Sequence, residues 1–196
     1  MTLFDHTAVW HAAEPYMRFR RNDVHIPVVY HFAEKLAVMH PDCDQEIVTL
    51  GALLHDIGWA AVDQEELFDT AFKKLITDVR IQHEKQGARM AREILEELKI
   101  VPPSKVDEIC TIIDGHDTRL EALSLNDSLV KDADKLWRYS AVGIAVSCEW
   151  LHLSPAQYIH KVENEREGFL FTDAAKELGA ESLAQAKVLL KTAEIG

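Results

Sequence analysis

Gly51-Ala52-Leu53-Leu54-His55-Asp56-Ile57-Gly58 is the stretch from which the chain is most readily understood. With Ile47 and Leu50 before it, it reads as a helix apolar nearly all round, and therefore buried. Asp44 is placed to cap its start, and Gly58 to end it in a left-handed turn. A His-Asp pair at the end of so apolar a helix is costly to bury unless something neutralises the carboxylate. A divalent cation does so; a buried ion pair or a helix-end hydrogen bond is the alternative. The chain carries the same dipeptide again at His116-Asp117.

Working outward, the apolar spacing keeps a period of 3.6 and strand-like alternation is nearly absent, so an all-α fold is expected. One helix spans about residues 24 to 39, stopped at His40-Pro41, and the next runs from 44 to 58. A polar, amphipathic segment covers about 64 to 76. A further helix, about 79 to 99, carries Ala88, Ala91, Ile94, Leu95 and Leu98 before Pro102-Pro103 breaks it. Ser104 opens another that Gly115 closes. Asn126 or Asp127 is expected to cap a long apolar helix reaching about 153, and Pro155 and Thr172 mark two C-terminal helices. Glycine and proline, 8 and 6 in number, sit at these punctuation points without repeat or linker, which predicts a single domain. Its main helical part is placed at residues 1–153 (core about 18–140), with residues 154–196 as helices packed on it or in a homodimer.

The 196 residues include 21 Lys and Arg against 33 Asp and Glu, a formal charge of −12. Such a surface repels phosphate backbones and anionic lipid, which argues against nucleic acid or a membrane as a general partner and leaves a small-molecule substrate. Cys43, Cys110 and Cys148 have no Cys-x-x-Cys spacing and read as reduced thiols. No signal peptide and no apolar run of roughly 20 residues is apparent, so a cytoplasmic protein is expected.

Ten histidines leave several candidate ligands. His25 shares the inward stripe of its helix with Val29, Phe32, Ala33 and Leu36, whereas His31 falls about 120° away and is the second candidate. His83 begins His83-Glu84-Lys85-Gln86-Gly87, where Gly87 allows another segment to come close. His116 follows Ile112-Ile113-Asp114-Gly115 at a helix end. Asp132 and Asp134, two residues apart, cannot share a helix face. Taken singly, each of these reads as well as a hydrogen-bonded core residue or a solvated one.

Together, with their flanks, they resemble the His…His-Asp…Asp signature of the HD-domain superfamily of metal-dependent phosphohydrolases. The family's H-x-x-x-V-x-x-x-A-x-x-L helix is matched from His25 through Val29 and Ala33 to Leu36. Its A-x-L-L-H-D-I-G is matched by residues 51–58, and its A-D-[KR]-L by Ala133-Asp134-Lys135-Leu136, which favours Asp134 over Asp132. Members with two metals add a His-x-x-x-Gly helix start and an I-I-x-x-H helix end, as in His83…Gly87 and Ile112-Ile113…His116. The resemblance covers about residues 18 to 140. It implies an HD-type bundle in which His25, His55, Asp56 and Asp134 hold one ion and Asp56, His83 and His116 a second.

The reaction centre is then expected at His55, Asp56 and Asp134. Two ions about 3.5–4 Å apart share a hydroxide and clamp the attacking and leaving oxygens of a phosphoester. Mixed His and Asp ligation suits Fe, Mn, Zn, Co or Ni. For the substrate's charge, Lys135 and Arg138 follow Asp134, and Arg18, Arg20 and Arg21 precede His25; the contacts expected are Lys135, Arg138, Arg21 and Arg18. Lys131 and Arg119 are weaker candidates. Asp117 is expected to orient a ligand or a water. Trp59 departs from the family, which often has Lys or Arg after His-Asp-x-Gly, and an indole brings one N–H but no charge. Two other readings share these residues: a mixed-valent di-iron oxygenase of the same superfamily, against which only 18 residues separate His116 from Asp134, and a non-catalytic ligand-binding domain.

Overall fold

The computed structural model describes residues 5–62, 73–165 and 170–193, and among them there are helices and no strand. The α-helices are α1 (Thr7–Ala13), α2 (Asn22–Met39), α3 (Gln45–Leu54), α4 (Lys73–Leu98), α5 (Pro103–Ile113), α6 (Leu125–Leu136), α7 (Ala141–Leu151), α8 (Pro155–Glu165) and α9 (Asp173–Ala193). Short 3-10 turns lie at Glu14–Tyr16, Ile57–Ala61 and Trp137–Tyr139. The all-α expectation holds. The amphipathic segment expected at about 64 to 76 lies mostly outside the described residues. No helix among them is long and apolar enough to cross a membrane.

Helix α3 is the centre of the bundle, with α2, α5 and α6 packed around it. All of its residues from Ile47 to Leu54 are buried, as its unbroken apolar run requires. Asp44 caps it as expected, its carboxylate accepting from the N–H groups of Glu46 (3.2 Å) and Ile47 (3.3 Å). The helix ends sooner than its composition suggests, at Leu54, so that His55 and Asp56 form a turn of their own before the 3-10 segment. Gly58 is not left-handed; that conformation falls to Gly115 (φ 126°). Gly58 instead permits contact, because a methyl group there would lie 2.0 Å from the His83 carbonyl oxygen and 2.4 Å from the Gly87 nitrogen. The turn carrying His55 and Asp56 is thereby pressed directly onto the backbone of α4.

Helix α4 begins at Lys73, not near 79, so His83 lies within it and not at its start, and two further helix boundaries differ from expectation. Ser124, not Asn126 or Asp127, caps α6, its hydroxyl accepting from the Asp127 N–H. Asn126 is occupied in joining two helices, accepting from the Asp44 N–H (2.8 Å) and donating to Glu108 (2.8 Å). The long helix expected to reach residue 153 is interrupted at 137–140. Ser140 caps a new helix by accepting from the Gly143 N–H (3.1 Å), and serine at a helix start outcompetes continuation. Gly143 allows the fold-back, since a methyl group there would lie 1.9 Å from the Trp137 carbonyl oxygen.

The C-terminal part is tied to α6 by Asp132. Its carboxylate accepts from the N–H groups of Phe171 (2.7 Å) and Thr172 (2.9 Å) and from the Thr172 hydroxyl (2.7 Å). Thr172 caps α9 as expected, through the Ala175 N–H, and α9 packs on α7, α6, α2 and the Trp137–Tyr139 turn. Replacing Gly58 with alanine is expected to lower stability by about 1–3 kcal/mol, because the obstructing atoms are backbone; chemical denaturation of wild type against Gly58→Ala measures it.

Candidate metal centre

Four imidazoles and two carboxylates from five segments meet at the inner end of one cavity. The His25 Nε2 atom lies 3.0 Å from His55 Nε2, 3.3 Å from Asp134 Oδ1 and 3.3 Å from Asp56 Oδ2. His55 Nε2 is 3.7 Å from Asp56 Oδ2 and 3.8 Å from Asp134 Oδ1. The other Asp56 oxygen faces a second set: Oδ1 is 3.4 Å from His83 Nε2 and 3.4 Å from His116 Nε2, which are themselves 3.4 Å apart. One carboxylate therefore stands between two groups of imidazoles.

This donor set fits divalent cations. Ligand bonds of about 2.1 Å put neighbouring ligand atoms roughly 3.0–3.4 Å apart in octahedral or tetrahedral sites, the spacing seen here. The ring orientations agree. His55 Nδ1–H donates to the Ala52 carbonyl (2.8 Å) and His116 Nδ1–H to the Ile113 carbonyl (2.9 Å), which leaves each Nε2 lone pair aimed inward. Both acceptors lie three residues back at a helix C-terminus, where carbonyls lack helical partners. All four histidines are buried, so the six ligand-type groups crowd together away from solvent.

Each side chain arrives for a local reason. His25 stands on the buried stripe of α2, and Asn22 at the head of that helix donates to the Asp56 carbonyl oxygen at 3.0 Å, fixing α2 to the His55-Asp56 turn. His31 is exposed and lies in a separate groove between α2 and α9. His83 is brought in by the Gly58–Gly87 contact. The His116 loop is held to α4 by Glu84, whose carboxylate accepts from the Asp117 N–H (2.7 Å), the Thr118 N–H (2.8 Å) and the Thr118 hydroxyl (2.5 Å). Asp134 points inward from α6 while Asp132 points to the C-terminal segment, the divergence that a two-residue spacing imposes.

The remaining expected residues divide. Arg138, Asp117 and Trp59 line a cavity of about 70 Å³ over the centre, together with Arg20, Trp137 and Trp150. Arg138 donates to the Asp134 carbonyl (3.1 Å) and lies 3.6 Å from its carboxylate. Asp117 is paired with Arg80, which also donates to its backbone oxygen. Lys135, Arg18 and Arg21 do not line the cavity: Lys135 lies 4.3 Å over the Phe171 ring, Arg18 is exposed, and Arg21 reaches Glu149 (3.6 Å). Lys131 is buried in a structural role, donating to the carbonyls of Arg119 and Glu121, and Arg119 pairs with buried Asp127. Sequence reasoning overlooked Asn22, Arg80 and Glu84 as supports. None carries a local motif, and their roles arise only from contacts across 33 to 37 residues of chain.

Burial and mutual charge set the protonation of the centre. Burial, opposed by Asp56 and aided by His116 and His25, pushes His55 down to about 4. Burial also acts against charge on His116, but its hydrogen bond to Asp56 and the carboxylates around it prevail and lift it to about 9. His25 is raised in the same way by Asp134 and Asp56. Against burial, His55 and the contacts from His116, His25 and His83 keep Asp56 well below the usual carboxylate range.

An all-helical bundle with a buried His/Asp centre suited to divalent cations is thus the class that the fold and site define. The chain belongs to the HD domain family, whose model matches residues 23–139. Among solved structures it is similar to the crystal structure of a protein described as a predicted HD superfamily hydrolase, from an uncultured Thermotogales bacterium. The two share 21% identity over 97% of this chain and 92% of that one, with a TM-score of 0.62, a likeness of fold. No curated protein matches the chain.

Protons and cations compete for the same nitrogens, which fixes the sign of the pH response. In the cation-free centre His116 keeps its proton up to about 9 and His55 is already neutral above about 4. Mn²⁺ binding at pH 7 is therefore expected to release protons, and affinity to climb as pH rises from 6.5 toward 9. Calorimetry in buffers of different ionisation enthalpy tests this, and a His116→Asn variant should release fewer protons than wild type, with His25 still contributing.

Proposed function

We propose that the protein is a metal-dependent phosphohydrolase acting on a small phosphorylated metabolite or nucleotide. The observation carrying this reading is the division of the Asp56 carboxylate, Oδ2 toward His25 and His55, which Asp134 also faces, and Oδ1 toward His83 and His116. A carboxylate so divided is suited to bridge two cations, with Asp134 completing one site and the two histidines the other. When bound, such ions lower the pKa of water and polarise a phosphoryl oxygen.

The chain's own groups supply the rest. The Arg138 guanidinium, anchored on Asp134, presents donors to a phosphoryl oxygen at the cavity wall. Asp117 stays ionised: burial alone would raise it, but the Arg80 hydrogen bond and His116 hold it below its ordinary value. It therefore serves as a hydrogen-bond acceptor, orienting a water or a substrate hydroxyl, and not as a proton donor. Trp59, Trp137 and Trp150 narrow the cavity and limit bulk water, which strengthens every charge interaction inside. The family membership and the described activity of the similar Thermotogales protein support hydrolysis as the reaction class.

Elemental analysis followed by a panel of phosphomonoesters and phosphodiesters tests the proposal. Wild type is expected to contain transition metal and release phosphate. His55→Ala and Asp56→Ala should each lose metal and reduce turnover by at least about 100-fold, more than the loss typical of a group that only supports a ligand. Metal-independent turnover at the wild-type rate in those variants refutes it, and oxygen uptake with an iron EPR signal would favour an oxygenase instead.

A further inference from the structure

The residue after His55-Asp56-Ile57-Gly58, where the family often has a cation, is Trp59. Its indole N–H donates to Asp56 Oδ1 at 3.0 Å and its ring stacks on His83, centroids 3.9 Å apart. The Arg20 guanidinium lies over that ring at 4.2 Å, and at 5.6 Å from the Trp150 ring. A positive charge is therefore present beside the centre, delivered from a different segment and resting on the indole.

The backbone is bent to deliver it. Arg20 and Arg21 both take left-handed conformations, with φ of 50° and 59°, which are costly for residues bearing a Cβ and persist where surrounding structure requires them. The two side chains then go different ways. Arg21 pairs with Asp23 and Glu149, outside the cavity, whereas Arg20 lines it. Arg80, Arg119 and Arg138 each meet a carboxylate; the Arg20 guanidinium has no hydrogen-bond or ion-pair partner among the described residues. A guanidinium held over an aromatic ring spends none of its N–H donors on it, and an unspent N–H fork is suited to phosphate.

We propose that Arg20 is the residue that captures the substrate's phosphate group, with Trp59 as the positioning residue that holds it over the centre. This rests on the phosphohydrolase reading and assigns its anion contact to a loop that precedes the His25 helix. Arg138, already bound to Asp134, is the secondary contact.

The test uses the full chain loaded with Mn²⁺ and titrated with inorganic phosphate by calorimetry, with metal content measured for every variant. Arg20→Gln is expected to retain Mn²⁺ and bind phosphate about 10- to 100-fold more weakly, the loss of a charge-assisted contact. Arg20→Lys should recover part of that affinity, because it restores charge without the fork. Arg20→Gln binding phosphate as tightly as wild type overturns the proposal, and so does Arg20→Lys binding no better than Arg20→Gln. Should wild type take up no Mn²⁺, it is the metal-dependent reading that fails, and the elemental analysis shows this separately.

Discussion

The Asp56 carboxylate is the point on which the molecule depends. It sits among four imidazoles, with one oxygen toward each pair, and accepts the Trp59 indole N–H as well. A buried carboxylate is tolerable only where positive charge or donors surround it, and here those donors come from α2, α3's terminal turn, α4 and the His116 loop. Satisfying this one group obliges four distant segments to converge. The hydrophobic contacts among α2, α3, α5 and α6 then have a fixed frame in which to pack.

Further polar residues support that centre without meeting its ligand atoms. Asn22, Glu84 and Asp132 are each buried, and each accepts from or donates to backbone groups of a segment remote from its own helix. Buried polar side chains used in this way satisfy loop amides that would otherwise be left without partners. They also set loop positions to within a hydrogen bond's tolerance, which ligand geometry demands and apolar packing, being non-directional, does not supply.

Much of the fold was legible because it is local. The apolar run before His55, the Asp44 and Thr172 caps and the stops at Pro102-Pro103 and Gly115 depend on neighbours in sequence. The inward face of His25 followed from the same periodicity. Where sequence reasoning failed, a competing local preference had decided the outcome: Ser140 restarted a helix that hydropathy alone would continue. The choice among Arg18, Arg20 and Arg21 was closed to sequence, since three basic residues in one turn differ only in backbone angle. Lys135 adjoins Asp134 in the chain but leaves the helix in another direction, toward Phe171.

Asp132 and Asp134 give α6 an unusual mechanical property. One carboxylate grips the amides of Phe171 and Thr172 while the other, nearly opposite on the cylinder, faces His25 and His55. A roll of the helix that improved one grip would loosen the other, so its azimuth is pinned from both sides like a shaft held between two keys. Departure of the Phe171–Thr172 segment would unpin one side and leave the azimuth to the contacts of Asp134 alone.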